Sequence, residues 1–210
     1  MNSKGITLIE LLVALVLLAL VTAGIYRLFL TQNTAYSVQD QVVEVQQNIR
    51  GAMEILLRDL RMTGYDDDCL VSKGIPVRVL VPIATPLSDN SITVSYEYHN
   101  NSHTSHELHT VRYRTAAGSL LRQLTVGGVA QPEESLLGNV TRLTFEYGVD
   151  ADEDGNVDDW VAFGSVGIRK VIGVLVTLAA KPESENTDVQ KMVAVPRTLT
   201  SRVTFRNRTM

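Results

Sequence analysis

Two clusters of side chains and one isolated carboxylate carry the chemistry this sequence offers. The densest is DADEDGNVDDW, residues 150–160. Asp150, Asp152 and Asp154 stand at alternate positions and Gly155 follows, which reproduces the first half of an EF-hand-type calcium loop. In that register Asn156 offers its backbone carbonyl, Val157 anchors the loop inward, and Asp158 takes the ninth position. Calcium needs roughly six to eight hard oxygens, and carboxylates converging on one turn repel each other without a cation. The twelfth position, where a bidentate glutamate belongs, holds Val161, so Asp159 or a distant residue must complete the shell. The flanks are a strand pattern and a glycine-rich turn, not two helices. The expectation is a structural calcium loop and not a sensor; the plain alternative is an acidic hairpin turn with Asp-Gly at its tip.

The second cluster is His99, His103, His106 and His109 in HNNSHTSHELH. On a helix this spacing would gather imidazoles on one face, as zinc or copper requires. The stretch lies between two alternating segments, Ile92–Tyr98 and Leu108–Tyr113, so a solvated hairpin loop is expected. Cys69 is the single cysteine, which excludes an internal disulfide and fails the spacing of a zinc site; a small, half-buried side chain is expected there. Ser165 lacks the Gly-x-Ser-x-Gly elbow, Glu133-Glu134 fit a surface loop, and there is no phosphate-binding or dinucleotide-binding glycine pattern. No enzyme is expected. The net charge of -4, without a basic stripe, gives no reason to expect nucleic acid as a partner.

The isolated carboxylate is Glu10 in KGITLIELLV, residues 4–13. It stands at the start of the longest apolar run, uncharged from Leu11 to Tyr26 and apolar from Ile6 to Leu30. As a helix that run is roughly 37 Å long, enough for a hydrocarbon core of about 30 Å. A carboxylate there costs on the order of 3 kcal/mol. One explanation is a secretory signal, with Lys4 as its charged flank and cleavage after Val21-Thr22-Ala23, before Gly24. Another is a plain anchor with Glu10 snorkelling to the interface. The third gives Glu10 work: cleavage after Gly5 leaves Ile6 as a positive N-terminus, and the amine of one subunit pairs with Glu10 of a neighbour, setting the stagger between helices.

Gly5-Ile6-Thr7-Leu8-Ile9-Glu10-Leu11-Leu12-Val13 resembles the prepilin peptidase recognition motif of type IV pilins and type II secretion pseudopilins. The resemblance implies a leader of residues 1–5, an N-methylated Ile6 where phenylalanine is usual, and Glu10 as the assembly residue. LLRDLRMTGYDDD, residues 56–68, is similar to PilW-type minor pilins and, more loosely, to GspJ-type pseudopilins. The family implies other minor and major pilins, the prepilin peptidase and the inner-membrane assembly machinery as partners. It also implies a single pass through the inner membrane, a periplasmic C-terminal domain, and later a place in a surface pilus.

The elements that must position these groups follow from periodicity. Val38, Val42, Val45, Ile49, Met53, Leu56 and Leu60 recur at intervals of three and four, one face of a helix running to about Met62. Thr63-Gly64 ends it, with Arg58 and Arg61 in the last turns, where cations suit the carbonyl end. Period-two alternation then takes over in Ile92–Tyr98, Val140–Tyr147 and Leu199–Phe205, while Val171–Leu178 is nearly continuous aliphatic, as in a central strand. Turns are expected at Gly118, Gly127-Gly128, Gly148 and Pro182, and a solvated loop at 183–188. The expected fold is α+β and pilin-like: a long N-terminal helix, its membrane half 6–30 and amphipathic half 31–64, packed on an antiparallel sheet within a β-rich extracytoplasmic domain 65–210.

Overall fold

A computed structural model of the chain describes residues 7–65, 90–99, 106–166, 170–182 and 195–205. Gly5, Ile6, Cys69, His103 and the loop at 183–188 lie outside the described residues. Helix α1 runs unbroken from Leu8–Arg61, 54 residues, or about 81 Å. It ends at Met62; Gly64 follows at φ 72°, a left-handed conformation that glycine adopts without a Cβ penalty. The Gly64 amide then bonds to Ser95 O at 3.0 Å, and Tyr65 O accepts the Glu97 amide at 2.8 Å, so the exit segment runs directly onto a strand.

The strands are β1 (Ser91–His99), β2 (His106–Ala116), β3 (Ser119–Val126), β4 (Val129–Ala130), β5 (Glu134–Leu137), β6 (Val140–Asp150), β7 (Asp159–Ala162), β8 (Lys170–Ala180) and β9 (Arg197–Thr204). A short 3-10 turn, Phe163–Ser165, follows β7. All pairings are antiparallel. They form two sheets, however, and not the single one expected: β1-β2-β3-β4 with β5 also on β3, and β7-β6-β8-β9. The division falls at Gly138-Asn139, where Asn139 at φ 53° redirects the chain between β5 and β6. Strand β6 then takes β7 and β8 as its partners.

The apolar stripe of α1 meets β8, β9 and β5. Val45, Ile49, Met53, Leu56 and Leu60 are buried and join one core with Phe145, Val176, Leu178 and Val203. Each such side chain contributes about 1.5–3 kcal/mol when fully buried. Strand β8 lies inside its sheet and is buried along both faces at several positions, which is why its sequence is continuous in aliphatics.

Gly148 is not at a turn. It lies within β6, opposite Gly173 of β8 and Trp160 of β7. A Cβ on Gly148 would stand 3.1 Å from the Trp160 ring and from Val157 Cγ1; one on Gly173 would stand 2.9 Å from Val203 O and 3.2 Å from the same indole. The two glycines form a slot for Trp160, and close approach, not turn geometry, explains them.

Candidate functional site

At the N-terminal end, Thr7 and Glu10 close a capping box. The Thr7 amide and hydroxyl donate to Glu10 Oε2 at 3.1 and 2.9 Å, and the Glu10 amide donates to Thr7 Oγ1 at 3.3 Å. The carboxylate therefore satisfies the first turn of its own helix. The T-x-x-E signature before an apolar run is present in the sequence; assigning Glu10 to a neighbour's amine passes over it. Every residue from Thr7 to Asn33 is exposed, including Leu8 at 81 % and Leu20 at 66 %. The hydroxyls in and beyond this segment turn back onto the helix, Thr22 to Leu18 O at 2.8 Å and Thr31 to Arg27 O at 3.0 Å, so Thr22 presents no unpaired donor to an apolar surrounding.

At the far end of the helix a polar network locks α1 to the first sheet. Asp59 is buried at 2 % exposure; its Oδ2 accepts the Tyr113 hydroxyl at 2.6 Å and Arg122 Nε at 2.9 Å. Arg58 Nε approaches the other oxygen at 3.5 Å. Burial first, then the neighbouring Asp59 charge, raises the Tyr113 phenol far above its ordinary value. Burial opposes the charge on Arg122, but the hydrogen bond and charge of Asp59 outweigh it, and the guanidinium is held more firmly protonated. Nothing in the sequence singles out Asp59: an acid between two arginines at a helix end reads as a solvated face, and its partners lie far along the chain.

His99, His106 and His109 lie on the paired strands β1 and β2 and not in the solvated loop expected, while His103 lies outside the described residues. His99 and His106 are opposite each other at the open end of β1 and β2, and His109 faces Tyr96. The His109 ring stacks on Tyr98 with centroids 4.6 Å apart and an interplanar angle of 16°. Burial lowers its pKa.

The acidic stretch forms the β6–β7 loop. Glu153 at φ 62° and Gly155 at φ 87° turn the chain. Asp150, at the end of β6, is 2 % exposed; its Oδ2 accepts the Gly155 amide at 3.0 Å, while its buried Oδ1 has no hydrogen-bond partner among the described residues. Asp158 Oδ2 accepts the Ala151 amide at 2.7 Å and Asp152 Oδ1 that of Asp154 at 3.2 Å. Carboxylate oxygens of Asp150, Asp152 and Asp158 lie within 4.8 Å of one another. At that spacing each pair of charges repels by about 1 kcal/mol in water and by several times that where solvent is partly excluded. Two of the expected ligands stand apart from this group. Asp154 instead accepts the Asn156 amide at 2.7 Å and its side-chain Nδ2 at 2.9 Å, and Asp159 accepts the Trp160 amide at 2.8 Å.

Residues 1–26 match the family model described as the prokaryotic N-terminal methylation motif. No curated protein matches the chain at a significant level. The motif and the long apolar helix behind it support a membrane-anchored protein of the type IV pilin-like class, pseudopilins included. Such a motif implies processing by a prepilin peptidase and points to a structural protein.

Proposed function

We propose that the chain is a minor pilin of a type IV pilus, of the PilW type, which helps to initiate or cap the filament. The observation that carries this is the asymmetry of α1: its second half buries a stripe from Val45 to Leu60 against the two sheets, while its first half is apolar and without protein cover. A helix of that kind is covered by lipid while the subunit waits and by neighbouring helices once it assembles. Residues 1–5 are the leader, cleavage falls between Gly5 and Ile6, and Ile6 is the methylated terminus. Residues 6–30 span the inner membrane, 31–64 dock the helix, and 65–210 lie in the periplasm before entering the pilus.

Glu10 has two partners in this account. In the waiting subunit it caps its own helix through Thr7; in the filament it exchanges that contact for the N-terminal amine of a neighbour, a pairing of two groups that are each costly in an apolar bundle. A minor pseudopilin of a type II secretion system would share the motif and the helix. A secreted binding module released after Ala23 would discard the motif and the first part of the helix, keeping the part packed on the sheets.

Deleting the gene separates the first two: surface pili are lost while type II secretion is unaffected. Complementation with Glu10→Ala is expected to restore a cleaved subunit but not pili, or to restore them with a poorly methylated terminus. Normal piliation with full methylation would remove the pairing role of Glu10. Loss of secretion with pili intact would move the protein to the pseudopilus.

A further inference from the structure

We propose that the β6–β7 loop is a structural calcium site whose ligand set departs from the EF-hand register. Asp150, Asp152 and Asp158 supply the carboxylates, and Asp154 serves as an internal turn residue. The carboxylates of these three meet within 4.8 Å, a span that calcium–oxygen bonds of about 2.4 Å can bridge. Proximity of acids is not by itself a site. The independent observation is Asp150, whose Oδ1 is buried without a hydrogen-bond partner among the described residues. A buried carboxylate oxygen left without a donor is costly, and a cation is the partner that would relieve it while also screening Asp152 and Asp158.

All three ligands are hard oxygens, which favours calcium or magnesium over the transition metals. Magnesium demands a near-ideal octahedron at about 2.0–2.1 Å and gives up its water reluctantly, whereas calcium accepts irregular oxygen shells. Water and loop carbonyls complete the shell. Asp154 is already engaged with both the amide and the side chain of Asn156 and holds the turn from within.

The consequence reaches beyond the loop. Asp158 precedes β7 by one residue, and β7 carries Trp160 into the slot between Gly148 and Gly173. Closing the loop on an ion fixes the start of β7 and so seats the indole across β6 and β8. Trp160 is the single tryptophan of the chain and reports on this event directly. The site stands apart from the filament role: it can be present or absent whichever apparatus the chain joins.

The test is a titration of the full chain, purified in detergent and stripped with chelator, with calcium or magnesium alone. Thermal midpoint and Trp160 fluorescence are both read. Calcium is expected to raise the midpoint by roughly 3–10 °C, with half-saturation at about 0.1–1 mM, the range of extracellular calcium modules. Asp152→Asn, an exposed change that leaves the fold intact, is expected to weaken the response at least about tenfold, while Asp154→Asn leaves it unchanged. A midpoint and fluorescence independent of calcium up to about 10 mM would overturn the site. An equal response to magnesium would overturn the choice of ion, and equal losses in the Asp152 and Asp154 variants would restore the EF-hand register.

Discussion

His109 shows how a side chain suspected of one chemistry is fixed by another. Its spacing from His99, His103 and His106 suits a metal on a helix, but the chain here is a hairpin, and the ring spends its face on Tyr98. Burial lowers its pKa from 6.5; among the charges around it Arg122 acts in the same direction, while Glu107 and Asp59 oppose. A histidine depressed in the folded state binds fewer protons there than in the unfolded chain. Stability is therefore fully present above pH 6.5 and declines as the pH falls through 6.5 toward the folded value. His109→Phe keeps the stacking and removes the titration, so the thermal midpoint of the variant should change less than that of the parent between about pH 7 and 5. Parallel curves for the two proteins would show that burial of His109 carries no pH dependence. At this scale the sequence was legible where residue types act locally, as in the Gly64 exit and the acidic turn. It was silent on Asp59, because the partners that make it a buried anion, Tyr113 and Arg122, come from β2 and β3 and no spacing rule links them.

Helix α1 is the element on which the molecule is organised. Its extent and its stripe were readable because helical periodicity is a local signal, and the burial of Val45, Ile49, Met53, Leu56 and Leu60 follows it residue for residue. The sheets were readable as strands but not as two layers. Pairing depends on where the chain turns and on which strands then meet; Gly138-Asn139, with Asn139 at positive φ, suits a turn but does not say that β6 leaves the first sheet. The Gly148 misassignment has the same origin: a glycine before an acidic run looks like a turn, whereas here it makes room for an indole that comes from the next strand. What holds the end of α1 to the first sheet is the Asp59 network, and removing one member leaves a buried charge uncompensated. Asp59→Ala should cost about 3–5 kcal/mol and lower the midpoint by roughly 6–15 °C. Combining it with Arg122→Met should be much less than additive in thermal denaturation, since the two changes remove the same pair. Strict additivity would mean that the pair contributes nothing to docking the helix.

For the whole molecule, α1 joins two environments. Its second half is the spine of a two-sheet domain; its first half is apolar, exposed from Thr7 to Asn33, and begins with a carboxylate held by Thr7. The match of residues 1–26 to the N-terminal methylation motif gives that arrangement a processing event, and the motif was legible because glycine, glutamate and the uncharged run fall at fixed offsets. The most direct measurement is the N-terminal sequence and intact mass of the mature protein, taken from cells with and without the prepilin peptidase. The expected result is a chain beginning at a methylated Ile6 when the peptidase is present, and an uncut leader when it is absent. A mature chain beginning at Gly24, in either strain, would contradict the account: the first part of the helix would then be a discarded signal, and the two-sheet domain with the rest of α1 a secreted one.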